Sequence, residues 1–431
     1  MKKYIIIPFC SDLNRGDQAL VWETKRIAEE SGFKGKYYLI AEKNEPVEQS
    51  KEKEIGIIYP VLEHPSRFDK GENNLNYNLA LKFKWGVVAI FDLVFSILLL
   101  NSITRKLVYR LLSKEKKYTF DLFASSDAIF MKGGGIIHSY GGITSFYHMY
   151  YALYNMLLAH SLGKNVYILP NSFGPFKGIG VSWLVKKALL KCRLVTSRET
   201  VSTKMLKDSL NIQVNTYPDL GFFLKKIPIE KANFTKKYKI LNDQKVVAIT
   251  MRPYRFPDSD DPRKAYENYK LAMRKFIIWL YKQGYMPLIV EHTLAVHEHE
   301  DDSKCIAEVT RKIDSSYYRI VSDRTMNCAE LKGIYSNCDY IIGTRFHSVI
   351  FSMAENVPGI AITYGGNKGQ GIMKDIGLQE CSLSIDEITY ESLRKSFIYL
   401  VENEEMIQKK INAYLLEAKK KRRELLHELR K

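Results

Sequence analysis

YIIGTRFHSVIFSMAENVPGIAITYGGNK, Tyr340 to Lys368, decides the fold. Tyr340 to Thr344 is a short apolar run that reads as a buried strand, Ser348 to Asn356 has the length and spacing of a helix, and Pro358 to Tyr364 is a second buried strand. Strand, helix and strand in so few residues make a crossover unit of a parallel sheet. Arg345 and His347 then sit at the helix's N-terminal end. Unpaired backbone N–H groups and the positive end of the helix dipole favour an anion there, and a guanidinium adds a fork suited to carboxylate or phosphate. Lys368, after Gly365, Gly366 and Asn367, points back at the same anion. The alternative is that Arg345 and His347 only cap the helix and pair with a neighbouring acid.

Working outward, the 431 residues suffice for two domains of ordinary size, and 46% hydrophobic with 26% charged residues is a globular composition. The formal net charge of +17 favours anionic partners: phosphorylated small molecules, acidic glycans or an anionic membrane. The basic residues are scattered and no basic–aromatic interleaving occurs, which speaks against nucleic acid. The six cysteines form no Cys-x-x-Cys pair, so neither a zinc site nor a disulfide framework is signalled, and a reducing cytoplasm fits. MKKYIIIPFC is broken at once by SDLNRGD and reads as a first strand, not an export signal.

Tyr4 to Cys10 leads through a loop with Asn14, Gly16 and Asp17 into a helical pattern, the opening of a doubly wound α/β domain. Those loop residues either meet a ligand or form an ordinary turn with Asp17 as helix N-cap. Tyr37 to Asn44 is a second strand. Phe83 to Leu112 is dominated by apolar residues and turns basic through Lys114, Lys116 and Lys117. Interrupted by Asp92, its apolar core falls short of the roughly 20 residues that cross a bilayer. It is therefore a buried core helix or one lying on a membrane surface, with Arg105, Lys106 and Arg110 near acidic headgroups. Asp127 to Gly135 is a strand running into Gly133, Gly134 and Gly135, which either admit a ligand to the backbone or make a tight turn.

Val166 to Pro170 is a strand with Ser172 in the segment beyond its end, and Arg193 to Ser197 another, ending in Arg198 and Glu199 at the start of a helix over 200–210. Arg198 either serves a site or makes a solvated pair with Glu199. The Pro218-Asp219 turn and the Lys-rich stretch from Lys225 to Lys239 read as an interdomain linker. A second α/β unit begins at Lys245 to Tyr254 and leaves Arg252 at a strand end. The loop holding His292, His297, His299, Asp301 and Asp302 lacks a recognised metal spacing and reads as solvated and acidic. From Ile385 the chain is helical, with Ile407, Ile411 and Leu415 packing and a basic cluster at Lys419 to Arg423. These elements divide the chain into an N-terminal Rossmann-like domain over 1–225 with an apolar insertion near 83–117, a second over 240–385, and a helical extension over 386–431.

Asn14 to Ala19, Gly133 to Gly135, Ser172 to Phe176, Ser197 to Glu199 with Ser202, Pro218-Asp219, Arg252-Pro253, and above all Gly343 to His347 with Tyr364 and Lys368 come in one order across most of residues 4 to 377. As an ordered set they resemble the polysaccharide pyruvyl transferases. The resemblance implies two Rossmann-like domains in a glycosyltransferase-B-like arrangement with a cleft between them, and transfer of pyruvate from phosphoenolpyruvate onto two sugar hydroxyls as a ketal. On it, Arg345, Arg198 and Lys368 hold the donor beside Phe346, and His347 is the general acid. Asn14, Gly16, Asp17, Gly133, Gly134, Gly135, Ser172, Arg252 and Tyr364 are further cleft candidates. Phosphoenolpyruvate is a co-substrate; no metal or other cofactor is called for. The acceptor is a cell-surface glycan or its lipid-linked precursor, met in the cytoplasm or at the inner face of the membrane. Three departures stand: three residues between Tyr364 and Lys368 where the family more often has two, Glu199 where aspartate is usual, and the apolar segment. A glycosyltransferase using a nucleotide sugar would suit the same domains and arginines, and a catalytically inactive glycan-binding homologue is the non-enzymatic alternative.

Overall fold

The first apolar run of the chain forms the strand Lys3–Ile7 (β1), and Lys36–Ile40 (β2), Ile55–Ile58 (β3), Ala128–Met131 (β4), Gly134–Tyr140 (β5), Asn165–Lys177 (β6), Leu194–Ser197 (β7) and Asn215–Thr216 (β8) join it in one parallel sheet. Its order is β3-β2-β1-β4-β6-β7-β8, with β5 paired to β6. A second parallel sheet contains Val246–Thr250 (β9), Met286–Val290 (β10), Arg319–Val321 (β11), Tyr340–Gly343 (β12), Gly359–Thr363 (β13) and Ser382–Ser384 (β14), in the order β11-β10-β9-β12-β13-β14. Every residue of β9, β10, β12 and β13 is buried. Continuous apolar strands are what a parallel sheet covered on both faces requires. Each fully buried valine or isoleucine there contributes roughly 1.5–3 kcal/mol.

The computed structural model describes residues 1–68, 79–295, 300–365 and 368–431. One unit comprises Met1–Ser11, Thr24–Tyr217 and Leu425–Lys431, the other Asp12–Glu23 and Pro218–Glu424. This differs from the division at 225, 240 and 385 in three places, each with a physical cause. Residues 12–23 join the second unit because Arg15 donates to the carbonyls of Leu13, Asp323 and Met326, and Gln18 accepts from the Cys328 N–H. The last residues join the first unit because Arg193 donates to the Lys431 carbonyl and Asn215 to Glu428. The supposed linker is not one: Lys231–Tyr238 is a helix, and Phe234 and Tyr238 lie in the second unit's core.

Several local expectations change as well. Gly134 and Gly135 begin β5 rather than making a turn, and β6 runs on through Ser172 to Lys177. The helix after β12 begins at Phe346 and ends at Met353. Asn14, not Asp17, caps the helix Arg15–Glu30: its Oδ1 accepts from the Asp17 N–H and its Nδ2 donates back to Asp17. The apolar segment is the helix Leu79–Leu100, and it is neither a core helix nor too short. Its stretch Ala80–Leu100 is long and apolar enough to cross a membrane, yet Phe83, Ile90 and Phe91 are exposed. Arg105 donates to the carbonyls of Leu99, Leu100 and Ser161 and so closes that helix's C-terminal end.

Candidate active site

In the second unit the strand order reverses direction between β9 and β12, which makes the crevice outside their carboxyl ends the place where an open α/β sheet binds ligand. Arg252 follows β9; Arg345 and His347 follow β12. Arg345 is the N-cap of the helix Phe346–Met353, all eight of whose residues are buried. Val349, Ile350 and Phe351 lock that helix into the core, so what its first turn presents is set by packing.

His347 is 8% exposed and held on three sides. A Cβ added to Gly16 would lie 2.1 Å from its Nδ1, so the glycine backbone forms one wall of the imidazole. Its Nε2 lies 3.8 Å from Oδ2 of Asp219, within ion-pair range but longer than a hydrogen bond, and the Phe351 ring stands at 6.3 Å. Asp219 is fully buried, and its other oxygen accepts from the Gly221 N–H at 2.8 Å. The helix dipole disfavours an imidazolium at this position. A buried carboxylate on the far nitrogen opposes that effect.

Arg345 is committed to an acid. Its Nε and Nη2 both lie 2.7 Å from Oδ1 of Asp302, and Nη2 donates to the Glu300 carbonyl at 2.6 Å. Asp302 is fully buried, its second oxygen accepting from the N–H groups of His292 and Thr293. Burial alone would lower the guanidinium's pKa; the Asp302 carboxylate, together with Tyr364 and Glu300, holds it above its ordinary value. Burial pushes the Asp302 carboxyl up against the pull of Arg345. At its two ends this loop is not solvated: Asp302 anchors Arg345, and His292 pairs with the Tyr335 hydroxyl. His297 and His299 lie outside the described residues.

Arg252 is half-buried and lies 4.3 Å over the Tyr364 ring, a cation–π contact that leaves its charge at the strand ends. Asn14 and Asp17 hydrogen-bond each other, and the Gly16 backbone lines His347. Phe346 is a core residue, 8% exposed, packed toward Gly369. Gly366, Asn367 and the side chain of Lys368 lie outside the described residues.

In the first unit Arg198, Ser172 and Gly135 come together. Arg198 Nε donates to the Ser172 hydroxyl at 2.8 Å, that hydroxyl donates to Glu199 at 2.9 Å, and Glu199 also accepts from Ser202, whose hydroxyl accepts from the Phe173 N–H. Arg198 and Glu199 are both buried, so the pair is not the solvated helix-start pair that the sequence allowed. A Cβ on Gly135 would stand 3.2 Å from Arg198 Nη2; the missing side chain there makes room for the guanidinium. Gly133 and Gly134 follow β4 at this sheet's own switch point, between β1 and β4.

Two residues of the site escaped the sequence reading. Asp219 stood in a Pro-Asp turn and in the ordered motif set without a role of its own, and Asp302 as one acid in a polar loop. Gly16→Ala tests the wall at His347: displacing the ring should lower turnover by about 10²-fold while destabilising by about 1–3 kcal/mol, measured by steady-state kinetics and urea denaturation. Unchanged turnover would remove Gly16 from the site.

A polysaccharide pyruvyl transferase family model matches residues 14–366. The amylovoran biosynthesis protein AmsJ of Erwinia amylovora is 25% identical over 320 residues, 69% of this chain and 74% of that protein. Among solved structures, a glycosyltransferase from Rickettsia africae ESF-5 aligns with 99% of this chain and 93% of its own at 13% identity and a TM-score of 0.51. S. aureus MnaA, solved with UDP, aligns with 95% of this chain and 91% of its own at 11% identity and a TM-score of 0.56. Anabaena Alr3699/HepE, solved with UDP and glucose, covers 100% of this chain and 98% of its own at 9% identity and a TM-score of 0.54. At such identities the structural likeness is one of fold. With the family's model spanning both units and the ordered motifs in place, the chain belongs to the polysaccharide pyruvyl transferase family.

Proposed function

We propose that the protein transfers pyruvate from phosphoenolpyruvate onto two hydroxyls of a sugar in a cell-surface polysaccharide or its lipid-linked precursor. The observation that carries this is His347, held between Gly16 and Asp219 at the start of a buried helix in the strand-end crevice, with Arg252 and Arg345 at the same strand ends. The family and the amylovoran-biosynthesis relative support the polymer as acceptor.

His347 gives its proton to the methylene carbon of the donor, which makes the neighbouring carbon electrophilic. One acceptor hydroxyl attacks that carbon, the bond to the phosphate oxygen breaks, and the second hydroxyl closes the ketal. The two hydroxyl protons balance the step: one restores His347, the other leaves with phosphate. Arg252 and Arg345 favour the donor's phosphate and carboxylate, with Lys368 as a further cation of the same unit. Asp219 keeps the imidazolium available despite the helix dipole.

Melting temperature in millimolar phosphoenolpyruvate, against a panel of nucleotide sugars, tests the donor. A ligand at 100 times its Kd adds about 2.7 kcal/mol, so the phosphoenolpyruvate sample should melt several degrees higher and the nucleotide sugars should do nothing. Stabilisation by a nucleotide sugar alone would assign the site to glycosyl transfer.

A further inference from the structure

We infer that the helix Leu79–Leu100, with the turn and short helix that follow it, seats this protein on an anionic membrane leaflet without crossing it. This stands apart from the donor chemistry.

The helix is sorted into two sides. On one, Asp92 takes a bidentate ion pair from Arg67 at 2.6 and 2.8 Å, the Ser96 hydroxyl lies 2.9 Å from that of Tyr150, and Leu99 is fully buried in the first unit's core. On the other, Phe83, Val87, Ile90, Phe91, Val94 and Ile97 recur every three to four residues, all exposed, Phe83 at 76% and Phe91 at 72%. The apolar side continues past the helix in the exposed Ile103, Leu107 and Leu111. Soluble monomers rarely leave so long an apolar face in water.

Charge selects the occupant. Residues 79–114 hold six basic side chains and a single acid, Asp92, which Arg67 neutralises. Lys82, Lys84, Lys106, Arg110 and Lys114 are exposed along the same stretch. Apolar side chains for the acyl boundary flanked by cations for acidic headgroups are the pattern of a helix lying in a membrane interface. A spanning position would carry the Asp92–Arg67 ion pair into the hydrocarbon, which is costly. Here the polar side stays on the protein from Asp92 to the C-terminal end, where Arg105 ties Leu100 to Ser161.

Flotation of the full-length protein with vesicles of phosphatidylcholine, with or without phosphatidylglycerol, tests this. The protein should float with the anionic vesicles, Phe83→Glu with Phe91→Glu should cut binding by about tenfold or more, and Lys106→Glu with Arg110→Glu should remove the preference for phosphatidylglycerol together with its salt sensitivity. All four positions are exposed, and an unchanged melting temperature confirms that the variants fold. Four results would overturn the inference: no flotation of the wild type, equal flotation of the phenylalanine variant, retention in cell membranes after alkaline carbonate, or self-association lost in that variant without vesicle binding.

Discussion

His347→Asn should lower turnover by about 10²–10⁴-fold, the span that a positioned general acid contributes. The melting temperature should change little by comparison. Asparagine is polar and smaller, so the walls set by Gly16 and Phe351 survive while the proton donor is lost. Asp219→Asn isolates the electrostatic part of the same claim. Without the carboxylate 3.8 Å from Nε2, the imidazolium is less favoured, so the alkaline fall in activity should move to lower pH. Steady-state rates against pH for the wild type and both variants decide it. An Asp219→Asn profile that overlays the wild type would leave Asp219 a structural cap of the turn at Gly221 and nothing more.

Asp302→Ala should destabilise the protein by about 3–5 kcal/mol, because it strands a buried guanidinium. For a unit of this size that lowers the melting temperature by roughly 6–20 °C. Replacing both partners with apolar groups of similar volume, Arg345→Met with Asp302→Leu, should recover most of the loss, since two buried charges are removed together. That double variant separates scaffold from donor binding. If Arg345 also meets the donor, the recovered protein should no longer be stabilised by phosphoenolpyruvate. Full stabilisation in the double variant would confine Arg345 to holding the 300–302 loop against the helix, and would leave Arg252 as the strand-end cation of this unit.

What the sequence disclosed follows from where the physics is local. Val246–Thr250 and Tyr340–Gly343 are largely apolar runs, the pattern of strands covered on both faces. The placement of Arg345 and His347 at a helix start followed from the change of period between Thr344 and Ser348. Their partners were not legible: Asp302 lies 43 residues before Arg345, and nothing local distinguishes a buried acid from a solvated one. The assignment of residues 12–23 to the second unit rests on Arg15 and Gln18 bonding more than 300 residues away. The apolar helix misled for another reason. With apolar residues on nearly every side, its pattern does not say which side docks; the polar pairs Asp92–Arg67 and Ser96–Tyr150 mark it in the fold.

The most direct measurement of pyruvyl transfer is phosphate release from phosphoenolpyruvate in the presence of a glycan acceptor fraction from the producing cell, with the glycan analysed by NMR and His347→Asn run alongside. Transfer of pyruvate requires phosphate release matched by a new ketal methyl signal on the glycan, both lost in the variant. Sugar transfer from a nucleotide sugar, with phosphoenolpyruvate left intact, would contradict it.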